Sequence, residues 1–121
     1  MATETQSSWL QTESLTGLHW LAILLAAVTG VIHLWLAVSF IPEPMGWAFL
    51  VAGLGFIGAI VAFVADYRRR LLYLLGIPFT GGQIPAWYVV NAPDFSPLGL
   101  GDKAVQVVLI VVLVILYRRE S

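Results

Sequence analysis

Residues 17–41 read GLHWLAILLAAVTGVIHLWLAVSFI, a stretch free of Asp, Glu, Lys and Arg. As a helix it is long enough to cross a bilayer core of about 30 Å. Pro42 and Pro44 follow at once and end the run, because proline cannot continue the helical hydrogen-bond ladder. Three further runs of the same kind lie downstream. Residues 44–65 carry no charge, with Glu43 as a candidate N-cap and Pro44 suited to the first helical position. Asp66-Tyr67-Arg68-Arg69-Arg70 is a link so short that the third run, residues 71–91, must fold back on the second. After the turn-rich NAPDFS, Ser96 and Pro97 read as N-cap and first residue of a fourth run, residues 97–117, closed by Arg118-Arg119-Glu120. The expected architecture is all-α: an integral membrane four-helix bundle, up-down-up-down, occupying residues 17–121 behind a polar N-terminal segment of residues 1–16.

Composition agrees with this reading. Of 121 residues, 60% are hydrophobic and 11% charged, and the mean hydropathy of +0.89 is far above that of a soluble domain. Six Lys and Arg against seven Asp and Glu leave a net charge of −1, so no basic field exists for nucleic acid. The absence of cysteine excludes disulfides, iron–sulfur clusters, thiolate metal sites and cysteine nucleophiles. Two histidines and few acids form no nucleophile–base–acid set and no metal-binding cluster. The expectation is a protein that is not an enzyme and holds no metal or cofactor of its own.

If the four runs alternate, Arg68, Arg69, Arg70, Arg118 and Arg119 share one side and only Lys103 faces the other. Cytoplasmic loops collect such residues, which predicts a multi-pass protein of the cell membrane with both termini in the cytoplasm. Interfacial aromatics fit: Trp20, Tyr67, Tyr73 and Tyr117 mark the inner ends, and Trp47, Trp87 and Tyr88 the outer ones. A cleavable leader is disfavoured, because the segment before the first run has no positive charge and the run is too long.

Helices associate in lipid through small side chains. Ala48, Ala52, Gly55, Ala59 and Ala62 form such a stripe on the second run, and Ala22, Ala26, Gly30 and Ala37 its counterpart on the first. The two are expected to pack on each other, or to form a seam between copies. The third run contains Gly76, Pro78, Gly81, Gly82 and Pro85, so a kinked or broken helix is expected.

Polar side chains within the runs are few: Thr29, His33, Thr80, Gln83 and Gln106. Measured from the inner aromatics at about 1.5 Å per residue, His33 lies roughly 20 Å up, Gln83 about 15 Å and Gln106 about 16 Å. Unpaired polar groups are costly in hydrocarbon, so these side chains are predicted to face inward and bond one another. No member of this set is acidic, which speaks against a carboxylate-based proton or cation pathway. His19 and His33 stand 14 positions apart on one helix, returning to within about 40° of one direction, roughly 21 Å along the axis. That spacing resembles the paired haem ligands of b-type cytochromes, although a haem b site here would need two copies of the chain.

Over most of its length the chain resembles an uncharacterised family of small four-span membrane proteins from haloarchaea, with looser relatives in actinobacteria. The resemblance rests on VTGVIHLWLAVSF, GWAFLVAGLGFIGAIV, the stretch from RRRLLYLLGIPFTGGQIPAWYVVNAPDFSP to LGLGDKAVQVVLIVVLVIL, and the basic end. It implies the architecture above and no activity. Three functions fit the residues: an accessory or packing subunit of a larger membrane assembly, a homo-oligomeric small-solute or ion channel or carrier using the third run, and a dimeric b-type haem protein ligated by His19 and His33. Site-specific labelling of single cysteines introduced in the turn at residues 66–70 and after Arg119 is expected to modify both from the cytoplasmic face. Modification from opposite faces overturns the alternating plan.

Overall fold

The computed structural model describes residues 15–120. It contains four helices: α1 (Gly17–Phe40), α2 (Pro44–Val64), α3 (Arg69–Asn91) and α4 (Pro97–Arg119), with no strand among the described residues. Of the segment expected over residues 1–16, all but Leu15 and Thr16 lies outside the described residues. α1, α2 and α4 are long and apolar enough to cross a membrane. α3 matches them in length at 23 residues, but Arg69 and Arg70 fall inside its first turn, and Thr80, Gln83 and two prolines lower its apolar character.

Local chemistry sets the helix limits. α1 ends where Ile41 turns extended ahead of Pro42, and α2 begins with Pro44 at its first position. Ser96 caps α4, its Oγ accepting from the Gly99 N–H at 3.0 Å. Between α2 and α3, Asp66 and Arg68 adopt positive φ values of 58° and 49°. There Arg69 pairs with Asp66 at 3.4 Å and donates through Nε at 2.8 Å to the Phe63 carbonyl, which also accepts the Asp66 N–H at 3.0 Å where the last turn of α2 tightens.

Of the kink or break expected at Pro78 and Pro85, α3 shows no break and runs through both as one helix. Each proline removes one donor, leaving the Leu74 and Gly81 carbonyls without their helical N–H, and the ladder continues around both. Support comes from α4, along which α3 packs. A Cβ at Gly76 would lie 3.1 Å from Leu113 of α4, and one at Gly81 would lie 3.7 Å from Ile110, whereas Gly82 faces open space.

α1 is the central helix, packed along α2 and α4, while α2 and α3 scarcely touch. The apolar core gathers Ala22, Phe56, Phe63, Tyr73, Leu109, Val112 and Leu116. On α1 the small residues Ala22, Gly30 and Ala37 are buried. On α2 the face against α1 is not the expected stripe: Gly46, Gly53, Phe56 and Phe63 are buried there, and a Cβ on Gly53 would strike Leu34 of α1 at 2.7 Å. Ala48 is exposed, Ala52, Ala59 and Ala62 are half-buried, and Gly55 lies against Phe79 of α3. The physical reason is volume, since the two phenylalanine rings fill space between helices that a purely small-residue face would leave void.

The outward surface is apolar, with Val38 81%, Val89 79%, Val51 67% and Trp35 61% exposed. An apolar surface of this kind on helices of membrane-crossing length points to a lipid bilayer as the environment. Close packing at the α1–α2 connection makes a paired prediction. A Cβ at Gly46 would collide with the backbone of Phe40 and Ile41, whereas Gly58 has nothing within 4 Å. Gly46→Ala should lower stability by about 1–3 kcal/mol, and Gly58→Ala should raise it by up to about 1 kcal/mol, measured by thermal unfolding in detergent.

Candidate functional site

Buried positions on α4 begin with the adjacent Asp102 and Lys103 and then recur at three- and four-residue steps: Gln106, Leu109, Val112 and Leu116. One end of this stripe is apolar and the other ionic. α1 sets Thr29 and His33, one turn apart, opposite the ionic end, and α3 brings Gln83. Four of the five polar residues expected to converge, Thr29, His33, Gln83 and Gln106, therefore do so. Thr80 stands apart, fully buried, with its hydroxyl unpartnered.

Asp102 and Lys103 complete the site, contrary to the expectation that it holds no acid and that Lys103 faces the outer side. They are only 4% and 8% exposed. Lys103 Nζ donates to Asp102 Oδ2 at 2.9 Å and to Gln106 Oε1 at 3.0 Å. Gln106 Nε2 donates to Thr29 Oγ1 at 3.1 Å and to Gln83 Oε1 at 2.9 Å. Thr29 Oγ1 donates to Asp102 Oδ1 at 2.6 Å. These bonds form a closed circuit in which every donor direction is consistent, and a branch leaves it through Gln83 Nε2 to the Phe79 carbonyl at 2.9 Å. The ammonium also lies 5.9 Å from the ring centre of Trp87.

His33 borders this circuit with a defined tautomer. Its Nδ1 is 2.7 Å from the Thr29 carbonyl oxygen, which only accepts, so Nδ1 carries a hydrogen. Nε2 is thereby left with its lone pair, and it lies 4.0 Å from Asp102 Oδ2. The rings of Phe49 and Phe56 flank the imidazole, each with its centre 5.9 Å away. Carboxylate, ammonium and imidazole thus share one buried volume joined by α1, α3 and α4.

A second polar group lies where the start of α1, the end of α2, the start of α3 and the end of α4 meet. Thr16 N–H donates to His19 Nδ1 at 2.9 Å, which makes that nitrogen an acceptor and leaves Nε2–H to donate to Glu120 Oε2 at 2.6 Å. Tyr73 OH reaches both carboxylate oxygens of Glu120 at 3.0 Å, and Phe63 stacks on the His19 ring. Both nitrogens of His19 are therefore engaged by the chain itself. Among the described residues, no group of three or more His, Cys, Asp or Glu is arranged to hold a metal ion.

Asp102 and Lys103 were legible in principle. Ser96 and Pro97 start α4, so both residues sit past its first turn, four and three positions before Gln106 and hence on its face. Reading them as the margin of the run, instead of its interior, hid the ionic half of the site.

Apolar helices around an ionic interior define a helical membrane protein with titratable groups in its core. The chain belongs to a family of unknown function (DUF7475), whose model matches residues 3–117. No curated protein and no solved structure matches it.

Breaking a buried ion pair from one side strands a charge, whereas replacing both members with apolar groups does not. Asp102→Leu and Lys103→Met alone should each destabilise the protein by about 3–5 kcal/mol. The double variant should recover most of that loss in denaturant titration. Additive losses would show that the two groups do not act as a pair.

Proposed function

We propose that the chain is a four-crossing carrier of the cell membrane, acting without catalytic chemistry. In this reading Asp102, Lys103 and His33 take up and release a proton as an ion or small polar solute passes. The observation that carries it is the Asp102 carboxylate, 4% exposed and paired with Lys103 inside the bundle. A buried pair of ions is expensive to desolvate, and apolar residues of the same volume would hold the helices at least as well. Titratable groups retained at such a place favour a role in proton or ion handling. His33 supports it, because closing its Nε2–Asp102 separation from 4.0 Å to a hydrogen bond needs a movement of only about 1 Å.

α3 is taken as the fourth crossing. The meeting of both chain-terminal helix ends with the α2–α3 turn, through His19, Glu120, Tyr73 and Phe63, supports an up-down-up-down plan. With Lys103 inside the bundle, the five arginines at that end face no basic counterpart at the other among the described residues, which favours cytoplasmic termini. A haloarchaeal source fits the Arg-rich, Lys-poor basic set. A haem b site is not part of this reading, since a ligating His19 would have to release Glu120 or Thr16.

The second reading is an accessory or packing subunit, associating with other membrane chains or with its own copies. It is favoured by the closure of the hydrogen-bond circuit and by the open faces at Gly58, Gly82 and Gly101. Proton flux separates the two. Liposomes holding the purified protein and an internal pH-sensitive dye should dissipate an imposed pH gradient faster than empty liposomes, and Asp102→Asn should slow this at least about tenfold, the loss of one transition-state interaction of about 1.4 kcal/mol. Leakage equal to that of empty liposomes overturns the carrier and leaves the accessory subunit.

A further inference from the structure

The gap between α2 and α3 is a cleft of about 80 Å³, lined by Ala22 and Ala26 of α1, Gly55 and Ala59 of α2, and Gly76 and Thr80 of α3. Phe79 stands at its rim and remains 39% exposed, edge-on to Phe56 with ring centres 5.1 Å apart. Of the side chains around the cleft, only Tyr73 and Thr80 carry a hydroxyl, and that of Tyr73 is bonded to Glu120. Thr80 is 1% exposed, and its Oγ1 has no hydrogen-bond partner. The two amide side chains of α3 behave otherwise: Gln83 and Asn91 each donate to the carbonyl four residues back. The Thr80 hydroxyl makes no such bond to Gly76, although a helical threonine ordinarily has that option. A hydroxyl left without a partner in an apolar pocket costs stability, and a ligand with one acceptor oxygen removes that cost.

We propose that this cleft binds a membrane-dissolved apolar compound bearing a carbonyl oxygen, which accepts a hydrogen bond from Thr80. The compound enters laterally where α2 and α3 scarcely touch. Its chain lies against Ala59 and Gly55, and Phe79 swings to admit it. Depth selects a dissolved compound over a phospholipid. Thr80 lies 11 residues beyond Arg69, roughly 17 Å along the helix, and so near the bilayer middle and out of reach of ester groups held at the interface. That depth rests on α3 being the fourth crossing. The site is separate from the Asp102 circuit, and nothing in its chemistry depends on proton movement.

The test compares methyl nonyl ketone with undecane, two probes of similar size that differ by one acceptor oxygen, added to the full-length protein in detergent. The ketone should raise the melting temperature by on the order of 4 °C, and undecane by clearly less. Thr80→Val keeps the shape and removes the donor, so it should melt higher than the wild type without ligand and respond equally to both probes. Ala59→Leu fills the cleft and should abolish both responses. Equal shifts from both probes on the wild type overturn the proposal, as does a ketone preference that survives Thr80→Val or Ala59→Leu. Proton flux does not enter this readout, so its failure leaves the carrier reading standing, and failure of the carrier leaves this one.

Discussion

A carboxylate and an ammonium placed among apolar helices must find their partners within the protein, and the Asp102–Lys103 pair governs how the bundle is arranged. Neither group is satisfied by the other alone. Asp102 needs the Thr29 hydroxyl for its second oxygen, and Lys103 needs the Gln106 carbonyl for a second proton. Gln106 can serve the ammonium only with its oxygen turned that way, which sends its amide hydrogens to Thr29 and Gln83. One ion pair thereby fixes the rotational setting of α1, α3 and α4 together. Low local dielectric strengthens such a circuit when it is complete and makes any gap in it costly.

α2 stands outside this arrangement. It contributes rings and small residues but no polar side chain to the circuit, and it holds to α1 through Gly53, Phe56 and Phe63. α3, in turn, is held by α4 and by polar contacts. The two helices least alike in chemistry are thus neighbours in the chain yet barely packed on each other, and the cleft containing Thr80 follows from that division. At the floor of this cleft, Phe63 ties α2 to His19 and Tyr73, so the open region lies above a closed base.

Several features were readable from the chain. The end of α1 and the starts of α2 and α4 follow from Pro42, Pro44, Ser96 and Pro97, whose backbone chemistry acts within one turn. Similar depth sufficed to bring Thr29, His33, Gln83 and Gln106 together, since rise along a helix is fixed by its geometry. Rotation about the axis was harder. The small-residue stripe at Gly55 and Ala59 is a real face of α2, but the chain alone does not tell which neighbour it meets, and in the structure it borders α3. Pro78 and Pro85 signalled a kink or a break, and no break occurs, because propensity weighs a lost donor and cannot weigh the packing of α4.

What the sequence alone determined is the set of quantities that depend on near neighbours in the chain: helix ends, apolar length, and the shared face of residues three or four apart. What only the tertiary structure decided is which polar groups meet across helices. His19 finds Glu120 from the far end of the chain, and His33 finds Asp102. Thr80, by the same backbone rules as its neighbours, finds no partner. Hydrogen bonds require atoms within about 3 Å, and no local rule fixes separations that depend on how four helices turn toward one another.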